Sequence, residues 1–253
     1  LQLLRYQRAL NLGYTEFYLN ADLSNLQLAE ITLFFQDLAP PLEVDFQNKK
    51  YSIKAYDIRD FSDSSNKSVD DTPFGGGAGM VMRADVLDKA LSFVKEKNAG
   101  AHTASIYLTP SGEKLDQKMI KRIVKYDNII LLCGRYEGVD QRFLDHNQIK
   151  EVSIGDYILA GGEIAAFVLI EACIRLIPDV LGNNKSLINE SFEDYLLEHP
   201  HYTKPAIWNN IKVPDVLRSG NHKMISEWRK KESLKKTKKV RPDLLKLYNS
   251  SKD

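Results

Sequence analysis

The run Asn128–Cys133, Asn-Ile-Ile-Leu-Leu-Cys, constrains the fold more than any other stretch of the chain. Five successive apolar side chains leave no polar face. A strand points alternate side chains to opposite sides, so this one has to be covered on both, as strands of parallel sheets are. The shorter run Ser105–Leu108, SIYL, has the same character. Helical spacing occupies Ala84–Lys97, before this pair of runs, and Lys114–Val124, between them. Strands alternating with helices predict an α/β domain. Earlier strand candidates are Glu30–Phe35 (EITLFF) and Tyr51–Tyr56 (YSIKAY).

Each strong strand runs into turn residues. SIYL meets Thr109-Pro110-Ser111-Gly112, and NIILLC meets Gly134-Arg135-Tyr136-Glu137-Gly138. Ligands of open α/β sheets bind just beyond such strand ends. A third glycine-rich stretch, VSIGDYILAGGE at 152–163, threads glycines between apolar side chains. It suits either a tight turn or a flat, mostly apolar ligand held by backbone groups. The long helical pattern that follows, Glu163–Leu176, is apolar almost all round, which predicts deep burial. Its polar pair is Glu171 and Arg175, spaced i,i+4. A guanidinium in such a helix needs a partner. It is either paired with Glu171 or aimed into a site where negative charge develops. Glu137 and Asp156, in the glycine loops, suit either a ligand hydrogen bond or a turn cap. Gly75-Gly76-Gly77-Ala78-Gly79 has no strand leading into it and no Lys-Ser/Thr after it, so it is neither a dinucleotide fingerprint nor a P-loop. It reads as a surface loop or as one lying close to a ligand.

The 253 residues suffice for one large domain, or a main domain with an appendage. A net charge of +1 names no partner, but the charge is uneven. Between Lys223 and Arg241 stand nine Lys or Arg and two Glu, a local +7 that suits a phosphate backbone or a solvated helix face. The polar stretch Gly182–Asn189 reads as a linker to this helical region. Cys133 and Cys173 lie far apart in apolar runs, which predicts two inert buried thiols and a reducing compartment. No apolar run is long enough to span a membrane, and the opening LQLLRYQRALNLGY is soon followed by Glu16 and Asp22, unlike a targeting segment. The five histidines show no metal spacing, and packing is the expectation for His199, His201, Trp208 and Trp228.

Taken in order, VDDTPFGGGAGM, LTPSGEKLDQ, LLCGRYEGVDQR, SIGDYILAGGE, RLIPDVLGN, ESF, HPHYTKP, VPDVLRSGNH and KVRPDLL resemble the bacterial tRNA (guanine-N(1))-methyltransferases, the TrmD family of the SPOUT class. The resemblance runs from about Tyr51 to the C-terminus. It implies an α/β domain with a trefoil-knotted parallel sheet over 1–182 (its first 29 residues an atypical extension), a linker at 183–198 and a small helical tRNA-binding domain at 199–253. It implies S-adenosylmethionine held by Tyr107, Leu108, Thr109 and Pro110, by Gly134 and Glu137, and by Ser153, Ile154, Gly155, Tyr157, Leu159, Gly161 and Gly162. Glu190 matches the carboxylate that removes the guanine N1 proton, and Arg175 the catalytic arginine. Substrate contacts are implied for Tyr136, Gly75, Gly76, Gly77, Gly79, Asp70 and His222. The expected product is N1-methylguanosine at tRNA position 37, next to the anticodon and after a guanosine at position 36. The expected partners are the tRNA anticodon arm and a second copy of the chain, with the active site at the subunit interface. A cytoplasmic location and a magnesium requirement are further expectations.

Some positions depart from the family pattern. Glu190 stands where aspartate is usual, and Ala160 and Ala165 stand where Ser and Pro are common. The segment at 35–50 is short. Alternatives are a SPOUT-fold RNA methyltransferase with another target, or a catalytically weak tRNA-binding relative.

Overall fold

The computed structural model describes residues 29–35, 43–45, 51–177 and 190–252. The chain divides into two compact units, one within residues 1–182 and one within 183–253. The N-terminal extension, most of the short segment at 35–50 and the linker Gly182–Asn189 lie outside the described residues.

The first unit is built on a six-stranded sheet. In chain order its strands are β1 (Ala29–Phe35), β2 (Glu43–Asp45), β3 (Tyr51–Asp57), β6 (Thr103–Lys114), β7 (Asn128–Cys133) and β8 (Lys150–Ser153). Side by side they run β2-β3-β1-β7-β6-β8. All pairings are parallel except that of β2 with β3 at the edge. A two-stranded ribbon, β4 (Asp70–Asp71) with β5 (Val81–Met82), stands apart from the sheet. The helices are α1 (Ala84–Lys97), α2 (Gln117–Ile123), α3 (Gln141–Asn147) and α4 (Glu163–Ile174).

Strand β7 behaves as its composition demands. All six of its residues are buried. Ile129, Leu131 and Cys133 pack with Met119 and Ile120 of α2 and with Ala166, Leu169 and Cys173 of α4. Ile130 and Leu132 point the other way, among Val86, Leu87 and Leu91 of α1 and Phe143 and Leu144 of α3. Full burial of each such side chain contributes about 1.5–3 kcal/mol. Local signals set the helix ends. Asp116 caps α2 by accepting from Met119 N at 2.7 Å, and Asp140 caps α3 by accepting from Arg142 N at 2.9 Å. Hydrogen bonding to the Arg142 side chain holds the Asp140 carboxyl below its ordinary range.

Strand β6 carries the unit's main irregularity. Leu108 and Glu113 are both partners of Val152, so Thr109–Gly112 bulges out between two contacts with one residue of β8. A Cβ on Gly112 would collide with the backbone of Glu151 and Val152. Only glycine admits the neighbouring strand there.

Helix α4 corrects an expectation. It ends at Ile174, and Arg175 is its C-cap. Its buried face is Ala165, Ala166, Leu169, Ile170, Cys173 and Ile174, but Ile164 and Val168 are 50% and 45% exposed. The all-apolar sequence has more greasy surface than the sheet in one chain can cover.

The second unit holds the hairpin β9 (Ile207–Trp208) and β10 (Ile211–Lys212), then α5 (His222–Val240) and α6 (Pro242–Ser250). Asn209 and Asn210 turn the hairpin with φ of 47° and 62°. Two successive left-handed residues are the mark of the two-residue hairpin turn, and asparagine tolerates them. Trp208 is 64% exposed on this hairpin, against the expectation that it packs inward. The buried residues of α5 are Ser233 and Thr237. Leu197 N donates to Thr237 Oγ1 at 2.9 Å, and Ser233 Oγ donates to the Leu197 carbonyl.

Candidate active site

One loop bulges from within β6 at Thr109–Gly112 and two others follow the C-terminal ends of β7 and β8, and together they enclose one open cleft. The thirteen residues expected to hold a cofactor all line it. Tyr107 and Leu108 come from β6 and Thr109 and Pro110 from its bulge, Gly134 and Glu137 from the second loop. Ser153, Ile154, Gly155, Tyr157, Leu159, Gly161 and Gly162 come from the third. Arg135, Gly138, Val152, Ile158, Ala160 and Ala165 line it too. These six had no assigned role, although Arg135 and Gly138 lie within the GRYEG string. A second, small gap between Leu87, Ile130 and Phe143 is lined almost wholly by apolar side chains, Ser105 apart, and is a packing defect of the core.

Backbone contacts join the loops. Gly162 N donates to the Gly134 carbonyl at 3.0 Å. A Cβ on Gly162 would stand 2.8 Å from Cys133 Cα, so the close approach of the third loop to β7 requires glycine. The third loop also folds on itself. Ser153 Oγ donates to the Gly155 carbonyl at 3.1 Å, and Tyr157 N donates to the same carbonyl at 2.9 Å. Arg135 Nε donates to Glu163 Oε1 at 3.0 Å, which fixes the guanidinium across the start of α4. Tyr107 forms part of the floor, and burial pushes its phenol up. Tyr136 sits on the rim, exposed, with φ of 58°. A bulky residue in that region of backbone space is strained, a condition common at ligand sites.

The Gly75–Gly79 loop reaches this rim at one end. Glu137 N donates to the Met80 carbonyl at 3.0 Å, and Met82 N to the Gly138 carbonyl at 2.9 Å. A Cβ on Gly79 would run into the Glu137 side chain. A Cβ on Gly75, Gly76 or Gly77 would meet nothing within 4 Å. Asp70, on β4, pairs with Met82 and is half-buried. Of the expected substrate groups in the first unit, Gly79 and Tyr136 thus stand beside Glu137.

Arg175 is half-buried at the C-cap of α4, where the helix dipole favours a cation. In the second unit Glu190 is half-buried, just before a loop in which Phe192, Asp194 and Tyr195 all have positive φ. His222 opens α5 and is exposed. The lysines and arginines of α5 are exposed as well. Both thiols are buried, and burial pushes the Cys133 thiol up strongly and the Cys173 thiol up to about 12. Neither is a nucleophile at neutral pH.

A mostly parallel sheet, flanked by helices and carrying a glycine-lined cleft built from loops of three neighbouring strands, defines an α/β protein with its candidate site at the sheet. The family model described as "tRNA (Guanine-1)-methyltransferase TrmD" matches residues 26–247, and the chain belongs to that family. A tRNA (guanine-N(1)-)-methyltransferase of Listeria monocytogenes serotype 4a (strain HCC23) is 47% identical over 202 residues, covering 80% of this chain and 82% of its own. That of Ruegeria sp. (strain TM1040) is 46% identical over 237 residues, covering 91% and 97%. That of Rhodospirillum rubrum (strain ATCC 11170) is 47% identical over 229 residues, covering 88% and 94%. Among the described residues no helix is long and apolar enough to cross a membrane.

Proposed function

We propose that this enzyme methylates N1 of guanosine 37 in tRNA, after a guanosine at position 36, with S-adenosylmethionine as donor. The convergence of three loops with thirteen expected cofactor residues on one cleft carries the reading. The cleft fits such a donor. The absence of side chains at Gly134, Gly155 and Gly162 lets the loops fold closely around the cleft and leaves room for the adenine and ribose. Ile154, Tyr157 and Leu159 supply the apolar walls. When bound, the donor presents an electrophilic sulfonium methyl. The knotted path of the sheet belongs to this reading, as the family leads one to expect.

Guanine N1 carries a proton at neutral pH, so a base has to remove it as the nitrogen attacks. Glu190 is that base, its carboxylate one methylene longer than the usual aspartate. Arg175 stabilises the negative charge that collects on the guanine oxygen as the proton leaves. Tyr136, Asp70 and the Gly75–Gly79 loop position the guanine, with His222 contributing from the helical domain. Orientation of the two reacting centres supplies much of the rate. The exposed cations of α5 grip the anticodon arm, so residues 199–253 form the tRNA-binding domain and 183–198 the linker. Exposed Ile158, Ile164 and Val168 support a homodimer with its active sites at the subunit interface. The enzyme works in the cytoplasm, with its substrate, and magnesium is required for activity, as the family leads one to expect.

The test is methyl transfer from labelled S-adenosylmethionine to two tRNA transcripts with guanosine at 37, one with and one without guanosine at 36. N1-methylguanosine on the first alone is the expected product. Transfer to another base, or tRNA binding without turnover, overturns the reading. Glu190→Gln should slow transfer by about 10²–10⁴-fold and Arg175→Ala by about 10²–10³-fold, each leaving donor binding intact by calorimetry.

A further inference from the structure

Spacing along the sequence gives the histidines no metal pattern, yet the fold of the second unit gathers two of them with a carboxylate. Glu198, His199 and His201 each offer one ligand atom, and these atoms lie within 4.8 Å of one another. His201 Nε2 is 3.0 Å from Glu198 Oε1. His199 Nδ1 lies 3.2 Å from the Pro200 carbonyl oxygen. A carbonyl only accepts, so this contact suits the tautomer with its proton on Nδ1, which presents Nε2 as the ligating nitrogen. Metal-binding histidines are set up this way, one nitrogen donating to the backbone while the other ligates.

The backbone beneath the cluster is pinned. Leu197 N donates to Thr237 Oγ1 at 2.9 Å, and Glu198 N donates to Ser191 Oγ at 3.0 Å. The two imidazole rings lie 4.8 Å apart, and that of His199 packs 6.4 Å from Trp228 of α5. The backbone at Leu197 and Glu198 is therefore held in place before any ion arrives, while the side chains keep room to close.

We propose that Glu198, His199 and His201 bind a divalent transition-metal ion, with zinc the best match. Two imidazole nitrogens and one carboxylate oxygen form a three-ligand set that leaves the remaining position to water. The ion replaces the proton between His201 and Glu198, and a small closing of these partly exposed side chains completes the set. Magnesium, which prefers an all-oxygen shell, is poorly served by it. The site is thus separate from any magnesium requirement of methyl transfer. A bound ion braces the segment after Glu190 where it meets α5.

The experiment is calorimetric titration of the chelator-stripped full-length protein with zinc chloride, repeated with cobalt(II) and read by its visible absorption. One ion per chain is expected, with no competition from magnesium. His201→Ala and Glu198→Gln should each weaken binding by about tenfold or more. His102→Gln, His146→Gln and His222→Gln should leave it unchanged. Zinc should raise the melting temperature of the wild type but not of His201→Ala. The His201 ring is 66% exposed, so this variant folds even if His199→Ala disturbs the packing on Trp228. Absence of saturable binding overturns the proposal. So does one-site binding that survives in His201→Ala, or equal competition by magnesium.

Discussion

Helices α4 and α5 break the amphipathic rule in opposite directions. Helix α4 is apolar on nearly every side, so its sequence marks no boundary between core and surface. Helix α5 is charged on nearly every side, and what it buries is Ser233 and Thr237. A helix on the surface of a self-sufficient domain shows one apolar stripe and one polar face. Each of these has one face too many for a lone chain. The surplus face of α4 is greasy and suits a second copy of the chain. The surplus face of α5 is cationic and suits a polyanion. The comparison teaches that a missing amphipathic pattern points to a partner, and that the chemistry of the surplus face tells which kind.

The contrast is sharpest on the buried side of α4. Leu169 is fully buried there, and Leu169→Ala should lower stability by about 2–5 kcal/mol in urea melts. A loss near zero would break the claim that this face belongs to the core. Next in size comes the polar clasp of α5. Thr237→Val leaves Leu197 N without its acceptor and should cost about 1–3 kcal/mol. An unchanged melt would mean that α5 is held by something other than these hydroxyls.

The surplus faces call for assembly and binding measurements. Val168→Glu should leave the fold intact by circular dichroism but shift the protein to monomer in sedimentation, with loss of methyl transfer. A dimer that persists would break the reading of α4. Lys235→Gln with Lys238→Gln should change stability by no more than about 0.5 kcal/mol. The pair should lower tRNA affinity and flatten its salt dependence by about 0.7–0.9 per lost phosphate contact. An unaltered salt slope would make those lysines merely solvated.

The smallest effect concerns the thiols. In the folded state both are raised above the unfolded value, Cys173 to about 12. The unfolded thiol ionises near pH 8.5, so their contribution is fully present below about pH 8.5 and is lost as pH rises beyond it. Stability should therefore sag gently in alkaline buffer, and thiol reagents should label the native protein only slowly.

Elements with strong periodicity were legible in advance. The bounds of α1 and β7 coincide with their sequence patterns because each pattern is long or unbroken. The helix expected at Lys114–Val124 is trimmed to Gln117–Ile123, since Asp116 caps it and the preceding residues return to β8. Strand β8 escaped notice, because four residues with only two buried carry little pattern. The roles of Gly112 and Gly162 were not readable either. Each is glycine because a distant backbone passes close by, and nothing local records that approach. Arg135 was visible within GRYEG, but its tether to Glu163 spans 28 residues and needed the fold. The cluster of Glu198 with two histidines was hidden for a different reason. Its spacing matches neither a helical nor a zinc-finger repeat, and the bend of the chain assembles it.

Val152 meets β6 twice, at Leu108 and again at Glu113. That feature limits how relatives of this chain can vary in length. A loop fastened at both ends to the same neighbour has no slack to absorb an extra residue. Slipping β6 by one position would turn Glu113 to the opposite face of the sheet. It would also carry Glu113 away from Lys150 Nζ, now 3.0 Å from its carboxylate. The four residues Thr109–Gly112 should therefore accept substitutions far more readily than insertions or deletions. Across relatives, their number should vary less than their identity.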